Sequence, residues 1–116
     1  MHRRLTAEQV AAFDERGVCF IHSVFSDSEI SSLRRELPRL LARTGDEVVR
    51  EPDAAESVRI VYGCHAFSEP YRTLSLHPRL LQPVQQLLRE DSVYIHQTRL
   101  NPKRPFGGGT WDWYAL

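Results

Sequence analysis

The segment VYIHQTRLN, residues 93–101, decides the fold class because it combines strand-forming residue types with a regular change in polarity. Alternation with a period of two places five residues on one face: Val93, Ile95, Gln97, Arg99 and Asn101. This face changes from apolar to polar along the strand, a pattern typical of the floor of a solvent-reached pocket. An edge strand with one solvated end explains the same pattern, and the residues alone leave both interpretations open.

The segment that follows this strand contains a loop rich in proline and glycine, PKRPFGGG at 102–109. The next residues, TWDWYAL at 110–116, alternate again, with Trp111 and Trp113 on one face. We therefore expect a second strand here, paired with the first across the glycine loop. A phosphate-binding loop is not predicted, because no helix and no Lys-Ser/Thr pair follow the glycines.

Two capped helices are predicted on the N-terminal side of the chain. Each begins with a capping box, formed by Thr6 with Gln9 and by Ser26 with Glu29. The first helix is expected to stop at Gly17, and the second carries an apolar stripe that continues past Pro38. Pro38 predicts either a kink or the start of another helix.

The middle of the chain predicts strands, an excursion and further helices. The runs VCFIH at 18–22 and VRIVYG at 58–63 are predicted strands. The polar, acidic stretch at 44–57 is predicted to be a mobile loop, which either acts as a lid or has no such role. Residues 68–91 predict one or two helices, with Pro78 at a first helical position. The residues predicted to face the core there are Leu80, Leu81, Val84, Leu87 and Leu88. The fold class is therefore α+β, in one domain over residues 1–116.

Composition limits the classes of partner. The 116 residues carry a formal net charge of zero, so no basic field favours nucleic acid or an acidic membrane surface. No stretch is long and apolar enough for a membrane span and no leader is recognisable, so we expect a cytoplasmic protein. Cys19 and Cys64 stand in apolar surroundings without a CxxC spacing, which favours buried thiols over a disulfide or a zinc site.

The residues by themselves do not form a recognisable catalytic set. A mononuclear iron site is most simply built from a His and a carboxylate separated by one residue on a strand, with a further histidine. The five histidines lack such a carboxylate neighbour: His2, His22, His65, His77 and His96. No nucleophile elbow and no carboxylate pair stand out either, and packed or surface roles are favoured for the histidines.

The stretch VYIHQTRLNPKRPFGGGTWDW resembles the phytanoyl-CoA dioxygenase superfamily of iron(II)/2-oxoglutarate oxygenases, in particular its ectoine-hydroxylase-like branch. The upstream segments LTAEQVAAFDERGVCFI and VRIVYGCHAFSEPYRTLSLHPRLLQPVQQLL resemble the same family's N-terminal region, in the same order. The resemblance implies N-terminal helices followed by the first strands of a double-stranded β-helix, or jelly roll, whose core is incomplete. It also implies a small-molecule substrate, with iron(II) and 2-oxoglutarate as the family's cofactors.

The resemblance implies site residues for this chain. Gln97 and Asn101 match polar positions that line the cosubstrate and substrate pocket, Arg99 lies between them, and Lys103 is a further candidate. The family's His-x-Asp metal motif is expected directly after Trp113, where this sequence has Tyr114, Ala115 and Leu116. No metal ligand and no catalytic residue is therefore assigned, and the chain alone is expected to bind neither iron nor 2-oxoglutarate and to be inactive.

Three interpretations follow from the resemblance. The first is a truncated family member, whose altered ending reflects a truncation or frameshift. The second is a non-catalytic module that binds a small polar ligand or adds a strand to a protein partner. The third is one half of a split oxygenase, completed by a separate C-terminal half. Exposed aromatic strand edges also predict self-association.

Overall fold

The computed structural model describes residues 4–104, and all structural statements below refer to them. The predicted aromatic strand and most of the glycine loop, with Trp111, Trp113, Tyr114 and Leu116, lie outside the described residues. The elements in chain order are α1 Ala7–Arg16, α2 Asp27–Leu41, β1 Val48–Glu51, β2 Ala54–Tyr62, α3 Cys64–Phe67, α4 Glu69–Ser75, α5 Pro78–Leu88 and β3 Arg99–Leu100. This arrangement confirms a mixed α and β fold.

The first two helices begin where their capping boxes predict. The Thr6 hydroxyl accepts from the Gln9 backbone N–H while the Gln9 side chain accepts from the Thr6 N–H, and Ser26 and Glu29 repeat this arrangement. Gly17 ends α1 in the left-handed region at φ 73°, a conformation that glycine adopts without a Cβ penalty. Both predicted starts and the first stop are confirmed.

Pro38 does not begin a new helix, because α2 continues without interruption to Leu41. The residue lies within the last turn, so its missing N–H removes a single helical bond close to the helix end. Leu40, two residues later, is completely buried. Continued burial of the apolar stripe therefore holds the last turn in the helix.

The sheet of the described residues has three antiparallel strands in the order β1-β2-β3. Residues 48–57, predicted as part of a mobile excursion, instead form β1, the turn and the start of β2. Val48 pairs with Val61 and packs against the core, and Arg59 bonds Glu51 at 3.2 Å between the two strands. Apolar burial and a cross-strand ion pair thus organise a segment whose overall composition is polar.

Two strand predictions are wrong. Residues 18–22 link α1 to α2 without joining the sheet of the described residues, and Phe20 is 77% exposed. Residues 93–98 are also outside the sheet, so the predicted strand at 93–101 is reduced to Arg99–Leu100. A β-branched or aromatic run forms a strand only when a neighbouring strand completes its backbone hydrogen bonds.

The core lies between α2, β2 and the short helices that follow β2. Its centre consists of Leu40, Val61 and Cys64, which are 0–2% exposed. The prediction of the core face of α5 is only partly right. Pro78 begins this helix as predicted, but Leu80, Val84 and Leu88 are 37%, 42% and 58% exposed.

Candidate functional site

The predicted site residues lie on and beside β3, which extends the sheet beyond β2. Leu100 is opposite Val61 and Arg99 is opposite Tyr62. Because directly opposed residues of an antiparallel pair share a face, Leu100 faces the core with Val61. Arg99 therefore lies with Tyr62 on the other face of the sheet.

The alternation expected from the sequence is present from residue 97 to residue 103. The four predicted site residues are exposed: Gln97, Arg99, Asn101 and Lys103. The three residues between them are half-buried: Thr98, Leu100 and Pro102. We refer to the four exposed residues as the β3 polar strip.

The backbone between Gln97 and Arg99 is fixed by contacts with the residues that follow β2. The Gly63 N–H donates to the Thr98 carbonyl at 2.8 Å, and Gly63 itself has φ 70°. The Thr98 hydroxyl and His65 Nδ1 lie 2.7 Å apart, in hydrogen-bond contact. These two contacts hold Thr98 inward and consequently direct Gln97 and Arg99 outward.

The contact between His65 and Thr98 was not foreseen from the sequence. His65 carried no signal beyond its residue type, and Thr98 was placed only on the face away from the strip. The alternation of the sequence could therefore predict that Thr98 points inward. It could not predict that the partner of Thr98 is His65, 33 residues away.

The strip can donate hydrogen bonds to an anion or to a polar ligand. A guanidinium presents several N–H donors in a planar fork that matches a carboxylate, and amide side chains supply both donors and acceptors. Arg99 and Lys103 give the strip positive charge, and Gln97 and Asn101 give it neutral amides. The strip is therefore suited to binding and orienting a ligand.

A metal centre is not formed by the described residues. Residues 4–104 contain no group of three or more His, Cys, Asp or Glu side chains that could hold a metal ion. His65 is engaged with Thr98, and His77 packs edge-on against the Phe25 ring at 5.3 Å between ring centroids. The residues present therefore do not fit an iron site, and positions 114 and 116 lie outside the described residues.

A concave region away from the β3 polar strip lies between α2 and α4 and has a volume of about 510 Å³. Its wall includes Phe25, Glu29 and His77. The Glu29 carboxylate accepts hydrogen bonds from Arg79 and from the Ser26 N–H, so it stabilises the fold. The hydrogen bond from Arg79, followed by that from the Ser26 backbone, lowers the pKa of Glu29 from 4.5 to about 2.

Comparison with known proteins decides the family. The family model for phytanoyl-CoA dioxygenase (PhyH) matches residues 13–114, most of the chain. The chain belongs to the phytanoyl-CoA dioxygenase family. This confirms the resemblance noted in the sequence.

Curated relatives within this family carry the name ectoine dioxygenase. The protein from Sphingopyxis alaskensis is 36% identical over 115 residues, and that from Bordetella bronchiseptica is 30% identical over the same length. Each alignment covers 96% of this chain and 37% of the relative. The chain therefore spans little more than a third of the length of these relatives.

Solved structures agree with this relationship. EctD from S. alaskensis with 2-oxoglutarate and 5-hydroxyectoine matches with a TM-score of 0.76 and 37% identity, covering 84% of this chain and 35% of EctD. EctD from the same organism with bound Fe matches with the same TM-score and 36% identity. Similarity thus extends from sequence to fold over most of this phytanoyl-CoA dioxygenase family chain.

No membrane-spanning element occurs in the described part of this family member. None of the helices within residues 4–104 combines the length and apolar character needed to cross a bilayer.

Proposed function

We propose that residues 1–116 form one N-terminal portion of an iron(II)/2-oxoglutarate-dependent dioxygenase that hydroxylates a small molecule. The observation that carries this proposal is the similarity, at a TM-score of 0.76, to an enzyme whose structures hold Fe, 2-oxoglutarate and 5-hydroxyectoine. In this proposal the chain supplies the first strands of a jelly roll, β3 among them, and the remaining strands belong to the rest of the family domain.

The β3 polar strip is proposed to line the cosubstrate and substrate pocket of the complete enzyme. Arg99 and Lys103 would attract an anionic carboxylate, while Gln97 and Asn101 would orient polar groups of the ligand. The fixed backbone at Thr98 supports this role, because a ligand-binding side chain contributes more when its strand is held in place.

The chain alone is proposed to be inactive and to bind neither cofactor. The described residues do not fit an iron site, and Tyr114 and Leu116 occupy the positions at which the resemblance places the family's His and Asp. The ligands would have to come from elsewhere in the same polypeptide or from a complementing C-terminal half.

We also place the protein in the cytoplasm, where free thiols such as Cys19 and Cys64 persist.

A chimeric enzyme tests the proposal. Residues 1–113 would be joined, at the aligned position, to the remaining C-terminal part of the S. alaskensis ectoine dioxygenase. We expect the chimera to give the visible charge-transfer band of an iron(II)/2-oxoglutarate chelate under anaerobic conditions and to hydroxylate ectoine. The 116-residue chain alone should do neither.

Variants of the chimera test the strip. Arg99→Ala should raise KM for 2-oxoglutarate or ectoine by about tenfold, the effect of losing one charge-assisted contact. Arg34→Ala, which removes a guanidinium from an exposed position of α2, is the matched control. A folded chimera without the band would contradict the oxygenase proposal and favour a binding module, and a band from the chain alone would show that the chain contains its own ligand set.

A further inference from the structure

The turn after β2 brings the His65 imidazole to the β3 polar strip. Gly63 has φ 70°, in the left-handed region that glycine adopts without a Cβ penalty, and this conformation leads the chain from β2 into α3. His65, two residues later, is half-buried, and its Nδ1 atom lies 2.7 Å from the Thr98 hydroxyl. The ring therefore contacts the residue between Gln97 and Arg99, two members of the strip.

The short helix that carries His65 is held at both ends. Cys64, the residue before His65, is 2% exposed and belongs to the core. Arg72 of α4 donates from Nε to the His65 carbonyl at 3.2 Å and from Nη2 to the Ala66 carbonyl at 3.4 Å. These bonds satisfy carbonyl groups at the end of the helix, where the helix offers no N–H partner of its own. The imidazole thus projects from a fixed backbone.

The strand that carries the strip is much shorter than the elements around it. It consists of Arg99–Leu100 alone, and residues 93–98 before it lie outside the sheet. The Gly63 N–H extends the pairing by one bond, to the Thr98 carbonyl at 2.8 Å. Strands in globular proteins usually have at least three residues, and an element with few contacts opens locally with little cost. A side-chain bond to Thr98 therefore has a large share in holding the strip.

We propose that His65 is a positioning residue for the β3 polar strip. Through the Thr98 hydroxyl it fixes the direction in which Arg99 presents its guanidinium, and it does not itself touch the ligand. A guanidinium binds a carboxylate through two parallel hydrogen bonds only when the two planes match, so binding depends closely on the direction of Arg99. The inference rests on the proposed function, in which the strip binds the cosubstrate or the substrate.

Amide hydrogen exchange in the 116-residue chain tests the hold on the strand without iron or turnover. The Gly63 N–H, which donates to the Thr98 carbonyl, reports on the β3 side of β2. The neighbouring Tyr62 N–H donates to the Glu47 carbonyl at 2.8 Å and is the internal control. His65→Ala should speed exchange at Gly63 by about threefold to tenfold and leave Tyr62 unchanged. Unchanged exchange at Gly63, or equal changes at both amides, would overturn the proposal.

Kinetics of the chimera with the S. alaskensis enzyme test the effect on binding. His65→Ala should raise, by about fivefold, the same KM that Arg99→Ala raises, while kcat changes by less than about twofold. Because the effect passes through the strip, His65→Ala should add nothing in an Arg99→Ala background. His65→Asn keeps a hydrogen-bonding atom near the place of Nδ1 and should restore most of the loss. His22→Ala, which removes an imidazole from an exposed position, is the matched control.

The outcomes separate this inference from the proposed function. Faster exchange at Gly63 in the chain, with a chimera that shows neither the charge-transfer band nor turnover, would support the positioning role and contradict the oxygenase. An equal rise in KM with and without Arg99 would indicate a general loss of stability and overturn the positioning role.

A second pair of variants covers the case in which His65→Ala does not melt cooperatively. Thr98→Val removes the hydroxyl that contacts His65 and should reproduce the faster exchange at Gly63 and the higher KM. Thr98→Ser keeps the hydroxyl and should resemble the original chain. Equal effects of the two substitutions would overturn the proposal.

Discussion

The side-chain amide of Gln86 forms two hydrogen bonds with the backbone of Leu5. Gln86 Oε1 accepts from the Leu5 N–H at 2.7 Å, and Gln86 Nε2 donates to the Leu5 carbonyl at 3.1 Å. The amide therefore satisfies both polar groups of a residue that is only 6% exposed. Together with the bond from Arg89 to Asp14 at 2.7 Å, it attaches the start of the chain to α5.

Gln86→Ala is expected to lower the free energy of unfolding by about 1–3 kcal/mol, because it leaves two backbone groups of Leu5 without their partner. Urea unfolding at equilibrium measures this change. Gln85→Ala is the matched control, since the Gln85 side chain donates to the Asp91 carbonyl at an exposed position. Equal losses in the two variants would show that the Leu5 contact does not stabilise the fold.

Leu40→Ala should destabilise the chain by about 2–5 kcal/mol, because Leu40 is completely buried and its removal leaves a cavity in the core. Leu88→Ala removes the same atoms from an exposed position and should change stability by no more than about 0.5 kcal/mol. Thermal or urea unfolding compares the two. Similar losses would contradict the position of the core.

Glu29→Gln should change how stability depends on pH. The folded-state pKa of Glu29, about 2, is below the ordinary value of 4.5, so its ionised form stabilises the fold above that value. This contribution is lost as the pH falls from 4.5 towards 2. The difference in Tm between the original chain and Glu29→Gln should therefore be largest near neutral pH and shrink in acid.

Glu15→Gln provides the control for the Glu29 experiment, because it removes a carboxylate from an exposed position near the end of α1. It reports the effect of lowering the negative charge without breaking the contact between Arg79 and Glu29. If Glu29→Gln and Glu15→Gln showed the same pH profile, the Arg79 contact would have no role in stability.

Cys64 should react with a thiol reagent far more slowly than Cys19. Cys64 is 2% exposed and burial raises the pKa of its thiol, so little thiolate is present and the sulfur is inaccessible. Cys19 is only half-buried. In a Cys19→Ser variant, rapid labelling should be lost until urea is added, and rapid labelling that persists would contradict the burial of Cys64.

Local signals in the sequence predicted the helix boundaries well. The capping boxes at Thr6 and Ser26 each involve residues three positions apart, so the sequence contains the whole interaction. The strand predictions depended on partners elsewhere in the chain. Val48 pairs with Val61 despite an acidic neighbourhood, whereas residues 18–22 find no strand partner among the described residues.

The exposure of the predicted site residues could be predicted in part, whereas their role in binding stays a prediction. Exposure of Gln97 and Arg99 follows from backbone alternation, which requires no knowledge of the rest of the fold. The hydrogen bond between Thr98 and His65 joins residues 33 positions apart and could not be derived from a pattern. Which ligand contacts the strip also depends on residues outside the described part of the chain.

The attachment of α1 to α5 has a consequence for synthesis on the ribosome. Leu5 and Gln86 are 81 positions apart, so at about 5–20 residues per second the partner of Leu5 appears roughly 4–16 seconds after Leu5 itself. During that interval α1 has only its capping box and the Gly17 stop to support it. A weakened cap would therefore allow α1 to unwind before Gln86 is available to bind Leu5.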